Sequence, residues 1–106
     1  MKKIIASLLF VPLTATANFE TGNSLLSKIN SSSYGDKFLA LGYIMGVFDG
    51  SHNIFHCAPD GITAGQLNDL TKQVLEASPV SRNVAADALL VYVFKQAWPC
   101  KKGSGV

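Results

Sequence analysis

The chain has 106 residues, 48% of them hydrophobic and 15% charged, with two cysteines and a formal net charge of +2. That charge rests on Lys2 and Lys3; past them, seven basic side chains stand against seven acidic ones. This balance excludes a basic nucleic-acid surface, a polybasic lipid-binding patch and an acidic tail, and the length supports one domain with a modest core.

The first residues set the compartment. Met1-Lys2-Lys3, the apolar run from Ile4 to Leu13 and the small-x-small site Ala15-Thr16-Ala17 form the three-part pattern of a secretory signal peptide, residues 1–17. The apolar run is too short to span a bilayer, so no membrane insertion is expected after cleavage behind Ala17. The mature chain is expected in the periplasm, as one domain over residues 18–100 followed by a flexible tail, 101–106. An exported chain with an even number of cysteines reads as disulfide-bonded, so Cys57 and Cys100 are expected to pair.

The mature part reads as all-α, a small bundle of about four helices closed by that one disulfide. Residues 20–30 form the first helix, with Leu25, Leu26 and Ile29 on one face. A polar break over 30–33 follows, in which Ser33 with Asp36 makes an N-cap for the second helix, ending near Gly50. Phe38, Leu39, Leu41, Ile44, Met45, Val47 and Phe48 make this helix apolar most of the way round, which reads as the central, buried element. Gly42, Gly46 and Gly50 recur every fourth residue along it. Glycine is unfavourable in a helix, so this edge predicts a close approach of another helix. A neighbour within the chain is the preferred reading, and a second subunit is the alternative.

Residues 51–62 form the longest irregular connection. The third helix, 63–77, opens on a Thr63/Gln66 capping box with Ile62 and Leu67 placed as a hydrophobic staple. Leu67, Leu70, Val74 and Leu75 form its buried stripe. Ser78-Pro79 is read as its end and as the start of the fourth helix, 79–97, with serine at the N-cap and proline at the first helical position. Ala85, Ala88, Leu89 and Tyr92, with Phe94 or Lys95, mark the repeat of that helix, and Pro99 stops it.

Few residues in the sequence point to chemistry. His52 and His56, with Cys57 and Asp49 nearby, superficially resemble a metal site. The cysteine is needed for the disulfide, so surface or capping histidines are the preferred reading, and neither metal nor cofactor is expected. The nucleophile-elbow, phosphate-loop and zinc-protease motifs do not occur, and the carboxylates are scattered singly. The chain does not read as an enzyme.

Three blocks carry a resemblance. They are Leu41-Gly42-Tyr43-Ile44-Met45-Gly46-Val47-Phe48-Asp49-Gly50, then Cys57-Ala58-Pro59-Asp60-Gly61-Ile62-Thr63-Ala64-Gly65-Gln66-Leu67, then Ala97-Trp98-Pro99-Cys100. In this order behind a signal peptide, the chain resembles the Rap/Tai family of type VI secretion immunity proteins from about Thr21 to Cys100. The resemblance implies a periplasmic helical protein that binds and blocks a peptidoglycan amidase effector, often as a homodimer, with a disulfide at the positions of Cys57 and Cys100. Many relatives carry a second cysteine pair where this chain has approximately Ile29 and Ala40, which predicts a looser first helix here. An inhibitor of this kind needs a rigid scaffold that presents loops to a cleft. Asp60, Arg82 and Asn83 are the expected partner-binding side chains, on the loops 51–62 and 78–83. Tyr43 and Asp49 are expected to hold helices together. Two rival readings are an acid-stress periplasmic chaperone and an envelope adaptor protein.

Overall fold

The computed structural model describes residues 19–101, so the predicted signal peptide and nearly all of the predicted tail lie outside the described residues. Four helices follow in order: α1 (Gly22–Ile29), α2 (Tyr34–Ser51), α3 (Ala64–Ala77) and α4 (Ala86–Ala97), with no strand among the described residues. A disulfide joins Cys57 to Cys100, with their Cα atoms 4.8 Å apart.

Local chemistry explains most of the boundaries. Thr21 and Ser24 form a capping box at α1: Thr21 Oγ1 accepts from the Ser24 amide at 3.1 Å, and Ser24 Oγ accepts from the Thr21 amide at 3.0 Å. Ser33 caps α2 by accepting from the Asp36 amide, and Lys37 Nζ reaches back to the carbonyl of Ile29 at 3.1 Å. Thr63 and Gln66 make the predicted capping box at α3.

The fourth helix starts seven residues later than the Ser78-Pro79 signal suggested. Residues 78–84 fold instead into two consecutive turns, Ser81 amide to Ser78 carbonyl and Val84 amide to Ser81 carbonyl. Their outward carbonyls are taken up by α1, with the Gly22 amide donating to Val84 and the Asn23 amide to Arg82. The Ala86 amide donates in return to Glu20. These bonds give the backbone a tertiary alternative to the helix. They also dock α1, the helix expected to be loose, whose Ile29 lies in the core together with Ala40.

Gly22 is the point of closest approach in this joint. A Cβ there would stand 2.8 Å from Leu89 Cδ1 and 2.9 Å from the carbonyl oxygen of Arg82. Leucine can swing aside but the backbone oxygen is held, so Gly22→Ala is expected to cost about 1–3 kcal/mol in a urea melt. An unchanged midpoint would mean that the 82–84 segment yields freely.

The core joins all four helices through Leu25, Leu26, Ile29, Ala40, Ile44, Leu67, Leu75, Ala86, Leu90, Val93 and Phe94. The buried row of α4 is therefore Ala86, Leu90, Val93 and Phe94, while the predicted Ala88 and Tyr92 face outward. Adjacent Leu89 and Leu90 make two apolar phases equally readable in the sequence, and packing selects the second. On α3, Leu67 and Leu75 are buried as expected, with Thr71 between them and Leu70 and Val74 half-buried.

Helix α2 departs most from expectation. It buries Ala40, Ile44 and Ser51, but Phe38, Leu39 and Met45 are 69%, 64% and 38% exposed. Nor do its glycines receive a neighbour from within the chain: a Cβ added at Gly42, Gly46 or Gly50 meets nothing within 4 Å. The preferred reading of intramolecular close packing is thereby corrected. Three small helices cannot surround an 18-residue one, so one long side of α2 stays outside.

Candidate functional site: the clamped loop

The connection from α2 to α3 is the most tightly specified irregular segment of the fold. Ser51 ends α2 and is buried, its hydroxyl donating to the Val47 carbonyl at 2.7 Å. Its own carbonyl accepts from three successive amides, Ile54 at 3.1 Å, Phe55 at 2.8 Å and His56 at 3.3 Å. The chain reverses at Asn53, whose φ of 62° lies in the left-handed region that asparagine tolerates better than most residues. Its amide closes the turn on the His56 carbonyl at 2.6 Å.

Below this turn lies an aromatic seat. His56 is fully buried, with its ring 4.7 Å from that of Phe48 and 5.5 Å from that of Phe94. The Ala58 amide donates to His56 Nδ1 at 3.2 Å, so Nδ1 is an acceptor and the proton sits on Nε2. Nε2 donates in turn to the Phe48 carbonyl at 3.0 Å, near the end of α2. Next to it, the Cys57 amide donates to the Trp98 carbonyl at 2.8 Å, and the disulfide ties the same point to the chain past α4. His52 is the C-cap residue of α2 and donates from Nε2 to the Ala58 carbonyl at 3.0 Å.

This geometry answers the histidine question. His52 caps, as one reading held, but His56 is a core residue and not a surface one. Its burial was hidden in the sequence because only the disulfide and Phe94, far along the chain, create the pocket for it. With both nitrogens of His56 committed to backbone and both cysteines oxidised, this cluster has no free ligand set for a metal. Among the described residues no group of three or more His, Cys, Asp or Glu side chains is arranged to hold one.

The turn presents two large apolar side chains to solvent, Ile54 at 56% and Phe55 at 52% exposure. Sequence reasoning passed over them in favour of polar neighbours. The available signal was an Ile-Phe pair in a segment with no helical period to bury it.

Asp60 lies exposed on the same connection, whereas Arg82 and Asn83 lie on the turns that dock against α1. The two groups sit at opposite ends of α4, whose 12 residues separate them by about 18 Å. The fold therefore does not gather Asp60, Arg82 and Asn83 into one patch. Asn83 is exposed, while Arg82 is half-buried and lines a cavity of about 100 Å³ with Leu75, Leu89 and Val93. Its Nε is buried without a hydrogen-bond partner. Elsewhere, Tyr43 packs against the core, where burial raises its phenol pKa and the Asp87 carboxylate adds to the shift. Asp49 is exposed.

Comparison with known proteins adds one positive finding. A family model described as Rap1a immunity proteins matches residues 21–100, which takes in all four helices, the clamped loop and both cysteines. No curated protein and no solved structure matches the chain.

Proposed function

We propose that this chain, which belongs to the Rap1a immunity proteins, is a periplasmic inhibitor that binds a type VI secreted peptidoglycan amidase and blocks its cleft. The family membership supports an immunity role against a toxin. The amidase target, the compartment and a homodimeric state are carried by the sequence resemblance.

The observation that best supports a blocking mechanism is the Ile54–Phe55 tip on its clamped turn. Binding energy concentrates in a few large side chains that are already held in place, because little ordering entropy remains to be lost. A turn fixed by three amides on one carbonyl, seated on a buried ring and fastened by a disulfide, meets that requirement. A convex apolar tip is complementary to a concave cleft. Asp60, exposed on the same connection, is the polar contact proposed beside the tip, and Arg82 and Asn83 at the far end offer a second, independent one.

The test is stoichiometric inhibition of peptidoglycan cleavage by oxidised mature protein, residues 18–106, added to amidases secreted by neighbouring strains. Phe55→Ala is expected to weaken inhibition about 30-fold, the equivalent of a 2 kcal/mol anchor, with unchanged thermal stability. Inhibition that survives Ile54→Asp and Phe55→Ala but fails with Arg82→Ala would move the contact to the other end. Binding to no amidase, with client protection appearing only at low pH, would favour the chaperone reading. A stable partner that is not a hydrolase would favour the adaptor.

A further inference from the structure

Arg82 is the only arginine in the chain, and its charge is left unanswered. It is half-buried, and its Nε lies buried without a hydrogen-bond partner. The single ion pair among the described residues joins Lys28 to Glu20, and the segment 78–84 contains no acidic residue. A guanidinium keeps its charge at any physiological pH, and a buried donor without an acceptor is costly. The acceptor is missing.

The cavity that Arg82 lines has the shape and chemistry of a head-group site. It has a volume of about 100 Å³ and lies between the end of α3 and the middle of α4. Ser78, Ser81 and Tyr92 bring hydroxyl-bearing side chains to its lining, while Val74, Leu89 and Val93 make an apolar wall. Val74, Tyr92 and Val93 also line a second groove of about 310 Å³, which continues between the two helices toward Leu70 and Ala97. The backbone of Arg82 is fixed from behind. Its carbonyl accepts from the Asn23 amide at 2.7 Å, and the turns before and after it close on Ser78 and Ser81. The charged donor is therefore held ready, with little ordering left for a ligand to impose.

We propose that this cavity binds a small monocarboxylate with an apolar body, of the chemical class of a short-chain fatty acid. The carboxylate takes Nε and one Nη of Arg82, an edge of the guanidinium fork that matches two carboxylate oxygens. Hydroxyl donors from Ser78 and Ser81 serve the remaining lone pairs. The hydrocarbon body lies against Val74 and Val93 and runs out along the groove toward Leu70. Charge favours this occupant over water, because opposite charges attract more strongly beside an apolar wall than in bulk solvent. The same wall disfavours a bare inorganic anion, which would lose hydration there and bury no hydrocarbon in return. The site requires no partner protein and lies toward the opposite end of α4 from the disulfide, so it does not rest on the immunity reading.

The test is an NMR titration of oxidised mature protein, residues 18–106, with hexanoate. The side-chain Nε–H signal of the sole arginine reports the site directly. A saturable shift with a Kd below about 1 mM is expected, and hexanol should bind at least about tenfold more weakly. Arg82→Gln should weaken hexanoate binding by at least about tenfold. Val74→Phe fills the cavity from α3 and leaves Arg82 in place, so it should abolish the shift even if Arg82→Gln fails to fold. No saturable shift up to about 10 mM overturns the proposal and leaves the cavity to water. Equal affinity for hexanol overturns it as a merely apolar hole, and an equal response to sulfate overturns it as a bare-anion site. If hexanoate does not bind and Arg82→Gln abolishes amidase inhibition, the guanidinium belongs to the toxin contact and the proposal fails. Hexanoate binding by a protein that inhibits no amidase upholds the site while the immunity reading falls, so the two fail separately.

Discussion

Replacing Cys57 and Cys100 together with serine is expected to lower the unfolding free energy by about 4 kcal/mol, a shift of roughly 15–30 °C in melting temperature for a domain of this size. The estimate follows from the 43-residue separation of the two cysteines, since a cross-link of that span removes much of the freedom of the unfolded chain. A single small core supplies a total stability of about 5–10 kcal/mol, so this one bond is a large share of it. The effect should also be local. The bond holds the start of the 57–63 segment against the residues after α4, at the place where the Cys57 amide meets the Trp98 carbonyl. Calorimetry with and without reductant measures the first effect. Amide exchange at Ile54 and Phe55 measures the second, and protection there should fall before protection at Leu25 or Leu90. A variant within 1 kcal/mol of the natural protein would show that the aromatic seat alone fixes the loop.

The sequence made the helices legible where a local signal decides the structure. The Thr63/Gln66 box and the Ser33 cap depend on neighbours three residues away, and both appear as read. The Ser78-Pro79 signal is equally local, but long-range bonds from Glu20, Gly22 and Asn23 to the segment before α4 override it. The glycines of α2 were legible as an edge requiring a close neighbour, yet nothing in one sequence says whether that neighbour belongs to the same chain. The candidate site was least legible. Charge and polarity drew attention to Asp60, Arg82 and Asn83, whereas the turn that ends α2 lifts Ile54 and Phe55 outward through backbone bonds to Ser51. Such bonds depend on φ and ψ, not on residue type, and Asn53 was the single side-chain hint of a reversal.

The second large effect is expected at His56. His56→Ala removes a fully buried ring from between Phe48 and Phe94, strips the Ala58 amide of its partner and leaves the Phe48 carbonyl with only the Ser51 hydroxyl at 3.3 Å as a side-chain donor. Cavity formation and the unsatisfied amide together should cost about 3–5 kcal/mol. His56→Phe separates the two contributions. It keeps the ring volume but leaves the Ala58 amide unpaired, at about 1–3 kcal/mol if no water reaches it, and removes one of the side-chain donors to the Phe48 carbonyl. Urea unfolding with the disulfide intact ranks the variants. If phenylalanine destabilises nearly as much as alanine, the imidazole acts chiefly as a bridge between the end of α2 and the loop. If it behaves like histidine, the ring is packing material and the backbone groups find other partners. The bridge outcome has a functional consequence. A turn deprived of its anchor to Ala58 must be ordered on binding, so if the tip blocks a toxin as proposed, His56→Phe should weaken that inhibition even at temperatures where it is fully folded, without touching the partner.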